Sequence, residues 1–211
     1  MILSNDIFTQ ERFGLITASK VSVLFPVRSA EVGQRTYAKQ LANQRFFGYY
    51  DETGTWQTEH GNANEYHAEM HYLLNYGDVG ERPKFIADEA NQLGGSPDWV
   101  GVEFGIDWKC PTTLEGWLSY LHDGISREQY YQCQMYMALT GLKKWKIAAY
   151  LTETNRMIDL GLQYPVPQEQ RMLLIEIGYE VGFKAALIER AKPVIEMRDK
   201  FIEVLKYQFK K

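Results

Sequence analysis

The chain has 211 residues, 45% of them hydrophobic, and its 23 Lys and Arg against 27 Asp and Glu leave a formal charge of −4. That length suits one domain with a single substantial core, and the acidic balance argues against a nonspecific nucleic-acid coat protein without excluding an enzyme that gathers its cations along one channel. No apolar run reaches bilayer-spanning length, MILSNDIFTQERFG carries no signal-peptide pattern, and the two cysteines, Cys110 and Cys133, form neither a disulfide framework nor a zinc spacing with histidine, so a cytoplasmic chain without membrane attachment is expected.

After a short segment, Ile7 to Arg12, the run GLITASK leads into an apolar stretch from Val21 to Phe25. Thr17, Ala18 and Ser19 read as a helix start with Thr17 or Ser19 near the cap, and Pro26 closes that helix. Free N–H groups at a helix start suit a phosphate, while a plain cap is the simpler account. Ser29 to Phe47 reads as a helix and Gly48 to Gly54 as a turn-rich break. A second helix is expected from Thr58 to Tyr76, ended by Gly77. It carries Glu59, His60, Glu65, His67, Glu69 and His71. His67 and His71 are four apart, but the sequence HAEMH lacks the H-E-x-x-H order of a zinc protease, which argues against a His-ligated zinc. Arg82 to Ala87 reads as a strand.

The stretch GGSPDWVGVEFGIDWKCPT, Gly94 to Thr112, reads as a hairpin: Val100 to Phe104, a turn at Gly105, then Ile106 to Cys110 before Pro111. Residues two apart on a strand share a face, so Asp107 and Lys109 project together, facing Asp98 from the preceding strand. An acid-x-lysine pair alone describes many solvated ion pairs. Here Trp99, Val100, Val102, Phe104, Ile106, Trp108 and Cys110 imply a sheet interior, where charges must be paired or metal-bound. Two acids and a lysine at such a place suit Mg²⁺ beside a base or charge stabiliser.

Beyond the hairpin, Glu115 to Asp123 is short and aromatic. Ser126 to Thr140 is a helix with a Ser126 cap, Glu128 in its first turn and Gly141 at its end. Gln132 and Gln134 stand in its apolar-aromatic run as candidate substrate contacts. Lys144 to Leu151 and Met157 to Leu162 read as strands, and Gln168 onward as helix interrupted near Pro193. The expected organisation is one domain over 1–211, with a core of about 8–164 and a C-terminal helical segment of about 166–209.

In this order the elements resemble the phage-type alkaline exonucleases typified by lambda exonuclease, within the PD-(D/E)xK nuclease superfamily. Four ordered motifs carry the resemblance: RFGLITASK (Arg12 to Lys20), HGNANE (His60 to Glu65), SPDWVGVEFGIDWKCP (Ser96 to Pro111) and QCQMYM (Gln132 to Met137). The resemblance implies an α/β fold with a central mixed sheet flanked by helices. It implies Asp98 and Asp107 as metal-ligating acids, joined by the backbone carbonyl of Trp108. Glu65 would contribute directly or through metal-bound water, and Lys109 would position or deprotonate water or stabilise phosphate charge. Arg12, Thr17, Ser19 and Gln132, with Gln134 in reserve, would bind DNA at its 5′-phosphate. Two Mg²⁺ ions, replaceable by Mn²⁺, are the implied cofactors. Double-stranded DNA ends, a single-strand annealing protein and a homotrimeric ring are the implied partners, in the bacterial host of a phage or prophage. The implied activity is 5′-to-3′ digestion of one strand of linear duplex. An endonuclease, a helicase-associated nuclease and an inactive DNA-binding relative are the alternatives. Asp107 stands where relatives often carry Glu, one methylene longer, and Glu103 lies close enough in sequence to compete for its place.

Overall fold

The computed structural model describes residues 11–27, 31–48 and 55–209. The expected segment from Ile7 and the Ser29 helix start lie wholly or partly outside them.

Two sheets organise the chain. Strands β1 (Ile16–Thr17), β3 (Ile86–Asp88) and β4 (Leu93–Gly95) form one, in the order β1-β4-β3, with β1 and β4 parallel. Strands β2 (Gly80–Glu81), β5 (Trp99–Gly101), β6 (Gly105–Lys109), β7 (Lys144–Tyr150) and β8 (Met172–Gly178) form the other, in the order β2-β5-β6-β7-β8. Only β6 and β7 are parallel in that sheet, so it is mixed. A parallel pair needs a long crossover, and helices α3 (Leu114–His122) and α4 (Arg127–Thr140) fill it. The remaining helices are α1 (Glu31–Phe47), α2 (Trp56–Tyr76), α5 (Asn155–Asp159) and α6 (Phe183–Phe209). This is the α/β architecture expected, a mixed sheet flanked by helices.

Strand alternation divides the hydrophobic residues between two faces. Trp145 and Ile147 of β7 pack with Cys133, Met135 and Met137 of α4 and with Leu187 and Val194 of α6. On the opposite face, Ile106 and Trp108 of β6 and Ala148 of β7 pack with Ala68 and Tyr72 of α2. Asp107, between Ile106 and Trp108, therefore points to the α4 side.

Helix α4 is delimited as its sequence indicates. Ser126 Oγ accepts from Gln129 N–H, the Gln129 side chain returns the bond to Ser126 N–H, and Gly141 ends the helix at φ 83°. Thr55 caps α2 and Gly77 ends it, so the helix starts slightly earlier than Thr58.

Several elements differ from expectation. The hairpin turn is Val102 to Phe104, closed by Gly101 N–H donating to Phe104 C=O, and Val102 is exposed instead of interior. Gly105 belongs to β6, where its lack of a side chain admits the Trp145 ring; a Cβ there would collide with that ring. The run from Arg82 to Ala87 is not one strand. Pro83, which has no N–H for a ladder, separates β2 in one sheet from β3 in the other. Met157 to Leu162 is not a strand: Thr154 Oγ1 accepts from Met157 N–H and starts the short α5 instead. Strand β8 occupies 172–178, within the segment expected to be helical, and pairs along all of β7. Finally, α6 runs through Pro193 without ending. Its buried Leu187, Ala191, Val194 and Arg198 lie on both sides of the proline, and α6 packs along α1, so tertiary contact outweighs the missing helical bond.

Candidate active site

Strand β6 extends beyond its partner β5. The two pair only at Trp99–Ile106 and Val100–Gly105, so Asp107 to Lys109 have an uncovered edge. Asp98, the residue before β5, turns its carboxylate onto that edge and its Oδ2 accepts from Trp108 N–H at 2.8 Å. A strand residue presents its N–H and C=O toward the same neighbour. The Trp108 carbonyl thus faces the edge where Asp98 lies.

Asp107 is 1% exposed. Its Oδ2 lies 2.5 Å from Lys109 Nζ, on the same face of β6. That oxygen takes no hydrogen bond of good geometry, although it is buried. Its Oδ1 accepts from Gln132 Nε2 at 3.3 Å. Glu103 is exposed in the hairpin turn and takes no part in this cluster.

Three acids thus stand around one cation. Burial raises the Asp98 pKa well above the ordinary carboxylate value, and the neighbouring charge of Asp107 adds to this, outweighing Lys109 and the Trp108 bond. Burial also raises Glu65 of α2, against the opposing effects of Lys109 and Arg82. Burial alone would lower Lys109, but Asp107 and then Asp98 outweigh it and hold the side chain as an ammonium. Glu65, Trp108 and Lys109 line a cleft of about 580 Å³ between α2 and the α3–α4 connection.

This environment fits a divalent cation with oxygen ligands: the acids are crowded, one buried carboxylate oxygen lacks a hydrogen bond, and burial pushes the Cys110 thiol that lines the same cleft up to about 12, which keeps it protonated and a poor ligand. Among the described residues, no three His, Cys, Asp or Glu side chains enclose an ion as they stand. Asp98 is engaged by Trp108 N–H and Asp107 by Lys109, so a ligand set of Asp98, Asp107 and the Trp108 carbonyl requires Lys109 to release Asp107 Oδ2. His67 is exposed on α2, and His71 lies against Tyr150 with ring centroids 4.8 Å apart and the planes tilted by 32°. Neither histidine joins the acids.

The expected phosphate contacts separate into two groups. Parallel pairing sets Thr17 beside Gly94. Ala18 and the Tyr136 ring both crowd Gly95, where an added Cβ would come within 2.8 Å of Tyr136. Tyr136 then donates to Ser96 C=O at 3.0 Å and accepts from Gln132 Nε2 at 3.0 Å. The Thr17–Ser19 segment and Asp107 are therefore joined through Gly95, Tyr136 and Gln132. The helix after Thr17 is a seven-residue 3₁₀ run, and the Thr17 side chain makes no capping bond to it. Thr17 Oγ1 and Ser19 Oγ instead lie 3.4 Å apart. Arg12 belongs to the turn before β1, where its carbonyl accepts from Leu15 N–H.

Gln134 is not a DNA contact. Its side chain is fully buried, with Nε2 donating to Gly178 C=O at 2.7 Å and Oε1 accepting from Glu180 N–H at 2.8 Å. Helical geometry places residues two apart on different faces, so only Gln132 reaches the acids. Replacing Gln134 with Leu strands both backbone groups and lowers stability by about 2–4 kcal/mol, measured by denaturant melts, while the rate per folded molecule stays at the wild-type value.

The sequence profile of the YqaJ-like viral recombinase domain matches residues 8–143. The chain belongs to that family. Crystal structures of the alkaline exonuclease LHK-Exo of Laribacter hongkongensis, one of them in complex with dAMP, superpose with a TM-score of 0.77 at 22% identity, covering 95% of this chain and 96% of that one. A phage-related exonuclease of Haemophilus somnus 129PT gives 0.69 at 19% identity, covering 92% and 96%. The fold is accordingly that of these exonucleases. No curated protein matches the chain in sequence.

The matched span of the YqaJ-like domain contains Asp98, Asp107, Lys109, Glu65 and Gln132, while β7, β8 and α6 lie beyond it. Sequence reasoning overlooked Ser96 and Tyr136. Ser96 Oγ is buried without a hydrogen-bond partner, next to the carbonyl that takes the Tyr136 bond. The available signal for Tyr136 was its place four residues after Gln132, one helical turn along the same face.

Proposed function

We propose that this chain is a Mg²⁺-dependent exonuclease that digests one strand of linear double-stranded DNA from its 5′ end and leaves a 3′ single strand for annealing-type recombination. The observation that carries the proposal is the cluster of Asp98, Asp107 and Glu65 around Lys109, beside a cleft that Glu65 and Lys109 line. Membership of a viral recombinase family and the fold of alkaline exonucleases support it. The dAMP held by LHK-Exo is a nucleoside monophosphate, the kind of product that exonuclease digestion releases.

A phosphodiester resists attack because it is itself an anion. Asp98 and Asp107, with the Trp108 carbonyl and Glu65 nearby, would hold the divalent ions, two Mg²⁺ or Mn²⁺ in their place. Such ions neutralise phosphate charge and acidify a bound water. Lys109, kept as an ammonium and free to turn from Asp107 toward the cleft, places positive charge on the attacked phosphate and orients the water. Gln132 directs its two amide protons at Asp107 and Tyr136; giving up the longer bond, to Asp107, allows it to reach a phosphate. Arg12, Thr17 and Ser19 form the end-recognising side, where a guanidinium fork suits a terminal phosphate. A homotrimeric ring, a single-strand annealing partner and a site of action in the bacterial cytoplasm complete the proposal.

A digestion assay tests it, comparing linear duplex bearing 5′-phosphate or 5′-hydroxyl ends with closed circular duplex, each with Mg²⁺ or EDTA. The expected result is mononucleotide release from the linear DNA in Mg²⁺, faster from phosphorylated ends, with the circle intact. Equal rates on the two ends remove the end-recognising role of Arg12 and Ser19, and cutting of the circle removes the exonuclease assignment.

A further inference from the structure

The cleft contains a hydrogen-bond donor that neither metal binding nor end recognition uses. Tyr120 of α3 lines it together with Lys109 and Glu65. Among the residues lining the cleft, Lys109 is the sole Lys or Arg, set against the acids Glu65 and Asp123. A DNA strand lying there needs neutral donors for its phosphates. Ser119 offers none, because its hydroxyl donates to Gly116 C=O at 2.8 Å.

The Tyr120 hydroxyl is oriented. Gln129 Nε2 donates to Tyr120 Oη at 2.7 Å. The other end of the same amide, Oε1, accepts from Ser126 N–H at 2.8 Å and is held there by the capping box of α4. With both ends of the Gln129 amide engaged, Nε2 can only donate to the phenol. Tyr120 Oη accepts that bond, and no acceptor among the described residues takes its own proton. The side chain is itself part-buried, packed against two hydrophobic cores, so the ring is fixed and its phenol proton is left for an acceptor in the cleft that Tyr120 lines.

We propose that Tyr120 is a phosphate-binding residue of the cleft and that Gln129 is the positioning residue that holds its phenol proton toward the DNA strand. The proposal rests on the nuclease reading and deepens it. The α4 capping box thereby acquires a second role, since the residue that closes it at the start of the Gln132 helix also sets a donor on the neighbouring helix α3.

The decisive variant is Gln129→Glu. Glutamate satisfies a capping box as well as glutamine does, but it has no N–H. A carboxylate there accepts the Tyr120 proton and turns it away from the cleft. Tyr120→Phe removes the same proton directly. A hydrogen bond to a charged group sets the scale, so each variant loses roughly ten- to a hundredfold in kcat/KM on 5′-phosphorylated linear duplex. The double variant loses no more than either single one, because both remove one interaction. A purely structural role for Gln129 predicts that Gln129→Glu digests at the wild-type rate, and that result overturns the proposal. So do additive losses in the double variant, which assign the effect of glutamate to its charge. If Tyr120→Phe fails to fold, Gln129→Glu and Gln129→Met decide: methionine lacks the donor, so a wild-type rate for it also overturns the proposal. A wild-type chain inactive in both Mg²⁺ and Mn²⁺ is a different failure, that of the nuclease reading itself.

Discussion

Replacing Lys109 with Ala is expected to slow DNA digestion by roughly a thousandfold while leaving duplex binding nearly unchanged. Removing a preorganised charge from a site of developing phosphate charge costs roughly 10²–10³-fold in rate. Among the described residues Lys109 is the one cation that acts on all three acids, and it pairs with the otherwise unbonded Asp107 Oδ2, so the loss falls at the upper end. The same substitution has a second consequence, readable without any substrate. Asp98, Asp107 and Glu65 then face one another with no lysine between them, and the variant melts below wild type in EDTA. Mg²⁺ raises its melting temperature by more than it raises that of wild type, because Asp107 no longer has to exchange a lysine for the ion. Turnover retained by Lys109→Ala overturns the catalytic assignment. A Mg²⁺ effect on melting equal in both proteins overturns the ligand set, whatever happens to activity.

The parts of the fold that local chemistry specifies were legible in the sequence, and so was the cluster on β6. Ser126 and Gly141 bounded α4 because a cap hydroxyl and a left-handed glycine act within one turn of chain. Asp107 and Lys109 were placed together by the two-residue period of a strand, and the structure sets them 2.5 Å apart. Where partners lie far off in sequence, the reading failed. Leu173, Leu174, Ile177 and Val181 fit a helical stripe, but Met172 to Gly178 is an apolar run that pairs with β7, Ala149 opposite Leu173 and Ile147 opposite Ile175. Nothing within that run separates a buried strand from a buried helix. Gln132 and Gln134 looked equivalent for a similar reason. What distinguishes them is the backbone at Gly178 and Glu180, more than forty positions on. Gly105 read as a turn residue because glycine usually marks one; its actual role, leaving room for the Trp145 ring, depends on a strand forty residues downstream.

The C-terminal helix lies outside the family-matched span, yet substituting Arg198 with Leu weakens both the fold and end recognition. Arg198 is 2% exposed. Its Nη1 donates to Gly14 C=O at 2.6 Å and to Gln92 Oε1 at 3.2 Å, and its Nε donates to Asp199 at 2.8 Å. Gly14 is a position that only glycine fills: its φ is 76°, and a Cβ would come within 2.8 Å of Arg45. Arg45 also donates to Gln92 Oε1, at 2.9 Å, and Gln92 C=O accepts from Ile16 N–H. The turn that carries Arg12 into β1 is thus tied to α6 by the buried guanidinium of Arg198, and to α1 by the exposed one of Arg45 through Gln92. Leucine fills the space but leaves the Gly14 carbonyl buried without a donor and Gln92 with one partner fewer. That costs about 2–4 kcal/mol, or a melting temperature lower by about 5–12 °C for a chain of this size. Loss of stability alone scales digestion of both kinds of DNA end equally. Loosening of the Arg12 turn instead lowers the ratio of rates on 5′-phosphorylated and 5′-hydroxyl ends, with the rate on hydroxyl ends retained at temperatures where the variant is folded. A ratio unchanged from wild type separates Arg198 from end recognition and leaves it a structural residue; a melting temperature unchanged from wild type contradicts the burial and bonding on which both expectations stand.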